Sequence, residues 1–90
     1  MPYFVYILEC RDKTLYTGIT NNLEKRIKDH NESKIGAKYT SGRRPVVLKY
    51  FEKVSNRSKA LKREIEIKSW TRRRKLDLIA KTQMAQNSQK

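Results

Sequence analysis

The ninety-residue chain contains one cysteine, Cys10, and one histidine, His30. A lone cysteine excludes an internal disulfide and suits a reducing cytoplasm, the compartment expected here. Cys10 and His30 together are too few for a structural zinc site. Glycine is scarce, with three residues, and no G-x-x-x-x-G-K-[ST] or G-x-G-x-x-G run exists, so the phosphate loops of nucleotide-binding folds are excluded. No serine sits in a G-x-S-x-G turn, which argues against a serine hydrolase. No apolar run is long enough for a transmembrane helix. The opening MPYFVYILECRD lacks the basic region and the small-residue cleavage site of a signal peptide. Apolar residues make up only 37% of the chain, which allows one domain with a thin core.

Acid is also short. Nine Asp and Glu face 22 Lys and Arg, a net charge of +13. Such a field draws in polyanions and speeds encounter with them. Nucleic acid is the first expectation, because each neutralised phosphate also releases counterions. An anionic membrane surface is the second, and a basic protein with no specific partner the third.

Residues 3–10, YFVYILEC, read as a strand rich in aromatic and β-branched side chains. Both of its alternating sets are apolar, which predicts a central strand covered on both faces. RDK reads as a tight turn and residues 14–19, TLYTGI, as the return strand. A three-residue turn sets Leu8 opposite Tyr16 and Tyr6 opposite Gly18. Tyr6 and Tyr16 then become diagonal neighbours on one face. A glycine inside a strand marks close approach by a ligand or another backbone.

Thr20, Asn21 and Asn22 offer caps for a helix over 22–31. Leu23, Ile27 and His30 recur there at helical spacing, with Arg26 at the edge of that stripe. Residues 32–45 read as a basic loop with one short helical turn around 37–39. A third strand is expected over 46–53 and a helix over 56–70, capped by Ser55 or Asn56. On that helix Ala60, Leu61, Ile65 and Ile67 form the expected buried arc, with Glu64 inside it. A carboxylate there is unusual, because glutamate is rarely buried unpaired. Thr71 reads as the cap of a last helix, 72–82, with Leu76, Ile79 and Ala80 toward the core. Residues 1–82 make one domain and 83–90 a polar, frayed tail. The predicted fold is α+β: a small three-stranded antiparallel sheet flanked by helices, in the order β-β-α-β-α-α.

One set of residues suits chemistry: Tyr6, Tyr16, Arg26, His30 and Glu64. Arginine suits a phosphate, glutamate a hard cation, and phenol and imidazole can pass protons. His30 ordinarily titrates nearer neutrality than a phenol and is the easier shuttle. Each also has a plain structural reading: core tyrosines and a core histidine with satisfied polar atoms, a solvated arginine, and Glu64 paired with Lys68 or Arg57.

In order along the chain, Phe4-Val5-Tyr6, Tyr16-Thr17-Gly18, Arg26, His30 and Glu64 resemble the GIY-YIG nuclease superfamily. Arg63-Glu64, Ile67-Lys68 and Trp70 add a pattern similar to its small stand-alone bacterial members. The resemblance covers roughly residues 2–80. Phe4 and Val5 stand where the first triplet has Gly and Ile, and Thr17 where the second has Ile; the side chains assigned to chemistry are in place.

The resemblance implies metal-dependent hydrolysis of phosphodiester bonds, DNA before RNA, in repair or recombination. Glu64 would hold one Mg²⁺ or Mn²⁺ ion. Arg26 would stabilise phosphoryl charge, and Tyr6, Tyr16 and His30 would orient and deprotonate water. Lys38, Arg43, Arg44, Arg57, Lys68, Arg72, Arg73 and Arg74 are candidates for the nucleic-acid backbone. The alternative is a non-catalytic nucleic-acid-binding module or an adaptor of the same fold. In the adaptor reading, Trp70 and the tail would meet a protein partner.

Overall fold

The computed structural model describes residues 2–32 and 44–87. The elements are β1 (Tyr3–Glu9), β2 (Leu15–Thr20), α1 (Leu23–Glu32), β3 (Val47–Val54), α2 (Arg57–Lys68) and α3 (Arg72–Asn87). They form a three-stranded antiparallel sheet in the order β2-β1-β3, and this is the α+β architecture expected. The short helical turn expected around 37–39 falls outside the described residues. Among them, no helix is long and apolar enough to cross a membrane.

The central place of β1 follows from its sequence. Val5, Tyr6, Ile7 and Leu8 are all at most 1% exposed, so neither face of the strand meets water. Val5 and Ile7 pack with Ala60 and Ile67 of α2 and Ile79 of α3. Tyr6 and Leu8 pack the other way, with Cys10, Val46, Tyr16 and with Leu23 and Ile27 of α1. The sheet is thus the middle layer of three, and its two faces have separate cores.

The β1–β2 turn fixes the register. Lys13 takes a left-handed conformation (φ 70°), as the last residue of a three-residue hairpin loop commonly does. The Cys10 and Lys13 amides donate to the Thr14 and Cys10 carbonyls, both at 2.9 Å. Asp12 accepts from the Thr14 amide and hydroxyl. Leu8 therefore faces Tyr16, and Tyr6 faces Gly18, as the three-residue turn predicts. On the other edge Tyr6 faces Phe51, and a bulge leaves Lys49 as the extra residue of β3.

Helix starts follow side-chain caps. Asn22 accepts from the Lys25 amide at α1, Asn56 from Lys59 at α2, and Thr71 from Arg74 at α3. Arg63 fastens α2 to the sheet. Its Nε donates to Glu52 at 2.7 Å, and Glu52 also accepts from the Tyr50 hydroxyl. The guanidinium pairs with Glu66 as well. Trp70 lies between Arg63 and Arg74, 5.1 and 4.2 Å from its ring centre. Its ring, partly buried against the α2 core, therefore serves packing between helices rather than standing free for a partner.

Three expected core residues face outward. Ile65 is 67% exposed, and Leu76 and Ala80 are exposed as well. α2 meets the sheet through a narrow stripe, Ala60 and Ile67, and a residue two positions from Ile67 points almost oppositely on a helix. α3 reaches the core through Ile79 and Leu78. It also continues to Asn87, beyond the expected end at 82.

Thr17 is 3% exposed, and its hydroxyl has no hydrogen-bond partner among the described residues. A buried unpaired hydroxyl costs roughly 1–3 kcal/mol. Thr17→Val keeps the branched shape and removes that oxygen. We expect the variant to be more stable by about 1 kcal/mol, read as a higher urea midpoint at unchanged slope.

Candidate active site

The site lies on the α1 side of the sheet. Tyr6 rises from β1, Tyr16 from β2 and His30 from α1. The Tyr6 hydroxyl and His30 Nε2 share a buried hydrogen bond of 3.0 Å. The imidazole sits edge-on to both phenols, 6.0 Å from the Tyr6 ring centre and 5.1 Å from that of Tyr16. The two phenol rings are 6.4 Å apart. The ordered spacing of the sequence is thereby converted into one aromatic cluster.

Gly18 makes the cluster possible. A Cβ at this position would lie 2.6 Å from the Tyr6 hydroxyl oxygen and 3.1 Å from the Tyr16 ring. The phenol of Tyr6 occupies the space that a side chain would need. The approach expected from the sequence is by a ligand or another backbone; what approaches Gly18 is instead the Tyr6 side chain.

Arg26 lies one helical turn before His30, and its cation acts on the Tyr6 phenol, favouring the ionised form. It also lines an open depression of 280 Å³ with Thr20, Asn21, Asn22, Lys25 and Asp29. Buried cluster and open surface meet at this residue. Burial pushes the Tyr6 phenol up to about 12; the Tyr16 phenol and the Glu64 carboxylate add to the rise, and Arg26 offsets part of it. Burial and the Arg26 cation pull His30 down to about 4, against a smaller opposing effect from Asp29. This corrects the expectation that His30 titrates near neutrality. At pH 7 both partners are neutral, because a site beside a cation and away from water disfavours imidazolium.

Glu64, on α2, is drawn into the same electrostatic group through its effect on Tyr6. Its side chain is 16% exposed and pairs with Lys68 at 3.5 Å. No three His, Cys, Asp or Glu converge on a common point among the described residues. A multi-ligand metal cage is therefore not formed there. A sheltered carboxylate on its own fits a single hard cation that completes its shell with water and substrate phosphate, as Mg²⁺ commonly does.

Two contacts that hold His30 in place carried no signal in the sequence. Asn31 pairs with the backbone of Val46 in both directions: its amide nitrogen donates to the Val46 carbonyl, and the Val46 amide donates to its oxygen at 2.7 Å. Arg44, read as a backbone-contacting cation, has an internal partner: its Nε donates to the His30 carbonyl at 2.7 Å. The end of α1 is thereby tied to the segment that enters β3. Of the other basic candidates, Arg57, Arg72, Arg73 and Arg74 are exposed on α2 and α3. Lys38 and Arg43 lie outside the described residues.

The shift at His30 has a measurable consequence. Its folded value, about 4, lies below the unfolded value near ~6.5. The unfolded chain then takes up the proton first as pH falls. Stability is intact above pH ~6.5 and is lost progressively toward pH ~4, by on the order of 3 kcal/mol in full. Urea unfolding of wild type and His30→Gln at pH 7 and pH 4.5 checks this. The wild type should lose more stability between the two than the variant.

The chain matches the GIY-YIG catalytic domain over residues 2–77. It is 59% identical over 76 residues to the UPF0213 protein of Syntrophus aciditrophicus, which covers 84% of this chain and 87% of that one. With the UPF0213 protein of Clostridium perfringens it shares 60% identity over 77 residues, 86% of this chain and 82% of that one. Two solution NMR structures share the architecture. The UPF0213 protein BH0048 from Bacillus halodurans is 42% identical, with a TM-score of 0.57 over 89% of this chain and 84% of that one. EF2693 from E. faecalis is 36% identical, with a TM-score of 0.64 over 93% of this chain and 88% of that one. With this match, and with Tyr6, Tyr16 and His30 brought together on one face of the sheet, the chain belongs to the GIY-YIG family of nuclease domains.

Proposed function

We propose that the protein is a metal-dependent endonuclease that hydrolyses phosphodiester bonds of nucleic acid, DNA before RNA. The observation that carries the reading is the hydrogen-bonded Tyr6–His30 pair with Arg26 beside it at the edge of an open depression. Such a group can take a proton from water and meet a phosphate at the same place.

In this reading the attacking water gives its proton to the Tyr6 oxygen. The phenolic proton moves to His30 Nε2, which is open in the tautomer protonated at Nδ1. No free phenolate forms, which matters because burial holds the phenol near 12. The water oxygen bonds to phosphorus, the bond to the leaving oxygen breaks, and that oxygen takes a proton from solvent. Tyr16 packs against the imidazole and keeps the pair aligned. Arg26 faces the phosphoryl oxygens and favours charge on them. Glu64 would hold the Mg²⁺ or Mn²⁺ ion. When bound, that ion supplies Lewis acidity at the phosphate and stabilises the leaving oxygen.

The exposed cations Arg57, Arg72, Arg73 and Arg74 suit contact with a phosphate backbone, which positions a strand without reading its sequence. The buried free Cys10 fits a reducing cytoplasm.

Cleavage of labelled branched, single-stranded and duplex DNA with Mg²⁺, Mn²⁺ or EDTA tests the reading. Products should require the metal, and Glu64→Ala and Arg26→Ala should each lower the rate by about 10²-fold or more. Full activity in both variants overturns it. Salt-sensitive binding without cleavage, equal in wild type and Glu64→Ala, supports the binding module instead.

A further inference from the structure

Lys68 belongs to the motif on α2, yet the hydrolytic steps above give it no part. It sits one turn after Glu64, with its ammonium 3.5 Å from the carboxylate. The other cation beside Glu64 in sequence, Arg63, is engaged with Glu52, Glu66 and Trp70. Among the described residues, Lys68 is therefore the cation paired with Glu64.

The two ends of this pair differ. The Glu64 side chain is 16% exposed and that of Lys68 is 52% exposed. A sheltered carboxylate needs a counter-charge, while a half-solvated ammonium loses little on leaving. The separation exceeds the roughly 2.7–2.9 Å of a tight charge-assisted bond. Lysine is also a point charge on a flexible stem, without the planar fork by which Arg63 grips Glu52. The contact is strong enough to neutralise Glu64 and loose enough to be exchanged.

We propose that Lys68 is a place-holding cation for Glu64, displaced when a divalent ion takes the carboxylate. The proposal rests on Glu64 as the metal residue. The pairing serves a site that must admit a polyanion past its own carboxylate. With Lys68 in place, Glu64 presents no bare negative charge to an arriving phosphate. Once the ion has replaced the ammonium, Lys68 is released at the rim, still beside the ion. The exchange implies that the ion competes with Lys68 and binds the free protein less tightly than a lone carboxylate would.

The test is a Mn²⁺ titration of the full chain followed by NMR. The readout is the Mn²⁺ concentration that half-broadens the amide signals of residues 61–68. The proteins are wild type, Lys68→Gln, Lys68→Arg, Glu64→Gln and Lys62→Gln, an exposed lysine of α2 with the same charge change. Lys68→Gln should bind Mn²⁺ about two- to fivefold more tightly than wild type, the range of a partly exposed ion pair. Lys68→Arg should stay close to wild type, and Lys62→Gln should move less than Lys68→Gln. Equal affinity in wild type and Lys68→Gln overturns the proposal. So does an equal gain in Lys62→Gln, which would mean a general field effect. If Glu64→Gln binds Mn²⁺ as wild type does, the ion is not at Glu64, and the metal assignment falls together with the proposal.

Discussion

The hydrogen bond between Tyr6 and His30 places demands on most of the chain. It lies between a strand and a helix 24 residues apart, so it exists only if β1, β2 and α1 all hold their places. The phenol needs the empty volume above Gly18, and a slip of one residue in the hairpin would put a side chain there. Lys13 in its left-handed conformation and Asp12 on Thr14 set the turn that prevents the slip. On the helix side, Asn31 and Arg44 tie the end of α1 to the approach to β3. The thin core makes these polar ties valuable, since few apolar residues are left to fix α1 by packing alone.

The shortage of acid shapes the rest. Among the described residues several carboxylates have set cationic partners: Glu9 with Lys13, Asp29 with Lys25, Glu52 and Glu66 with Arg63, and Glu64 with Lys68. Most are exposed pairs worth little to stability. Arg63 is the exception in placement, because it joins α2 to β3 and stacks on Trp70, which Arg74 of α3 covers from its own side. The result orients α2 and with it Glu64. Among the described residues, Arg57, Arg72 and Arg73 stand exposed on α2 and α3, where a polyanion can reach them.

Much of this was legible in the sequence. Two apolar sets in YFVYILEC require a strand covered on both faces, and β1 is that strand. A three-residue turn fixes the Tyr6–Gly18 and Leu8–Tyr16 partners by counting. Helical spacing put His30 on the inner stripe of α1, where it is fully buried. What stayed hidden depends on which part of a helix touches its neighbour. Ile65, Leu76 and Ala80 are apolar and periodic, but α2 and α3 meet the core along narrower stripes than the pattern suggests. Asn31 and Arg44 act through backbone groups distant in sequence, and periodicity carries no trace of such contacts. The low value at His30 comes from burial and from Arg26; helical spacing shows both, but the ordinary value of the residue type does not include their effect.

The central claim is that the buried phenol of Tyr6 takes part in the chemistry rather than only filling the core. Tyr6→Phe removes one oxygen and keeps the ring over Gly18. Single-turnover cleavage of labelled DNA in Mg²⁺ by this variant, with its fold verified by NMR, is the most direct measurement. The account predicts a loss of about 10²-fold or more in rate, with DNA binding unchanged. A variant that cuts at the wild-type rate would contradict it and would leave Tyr6 as a core residue.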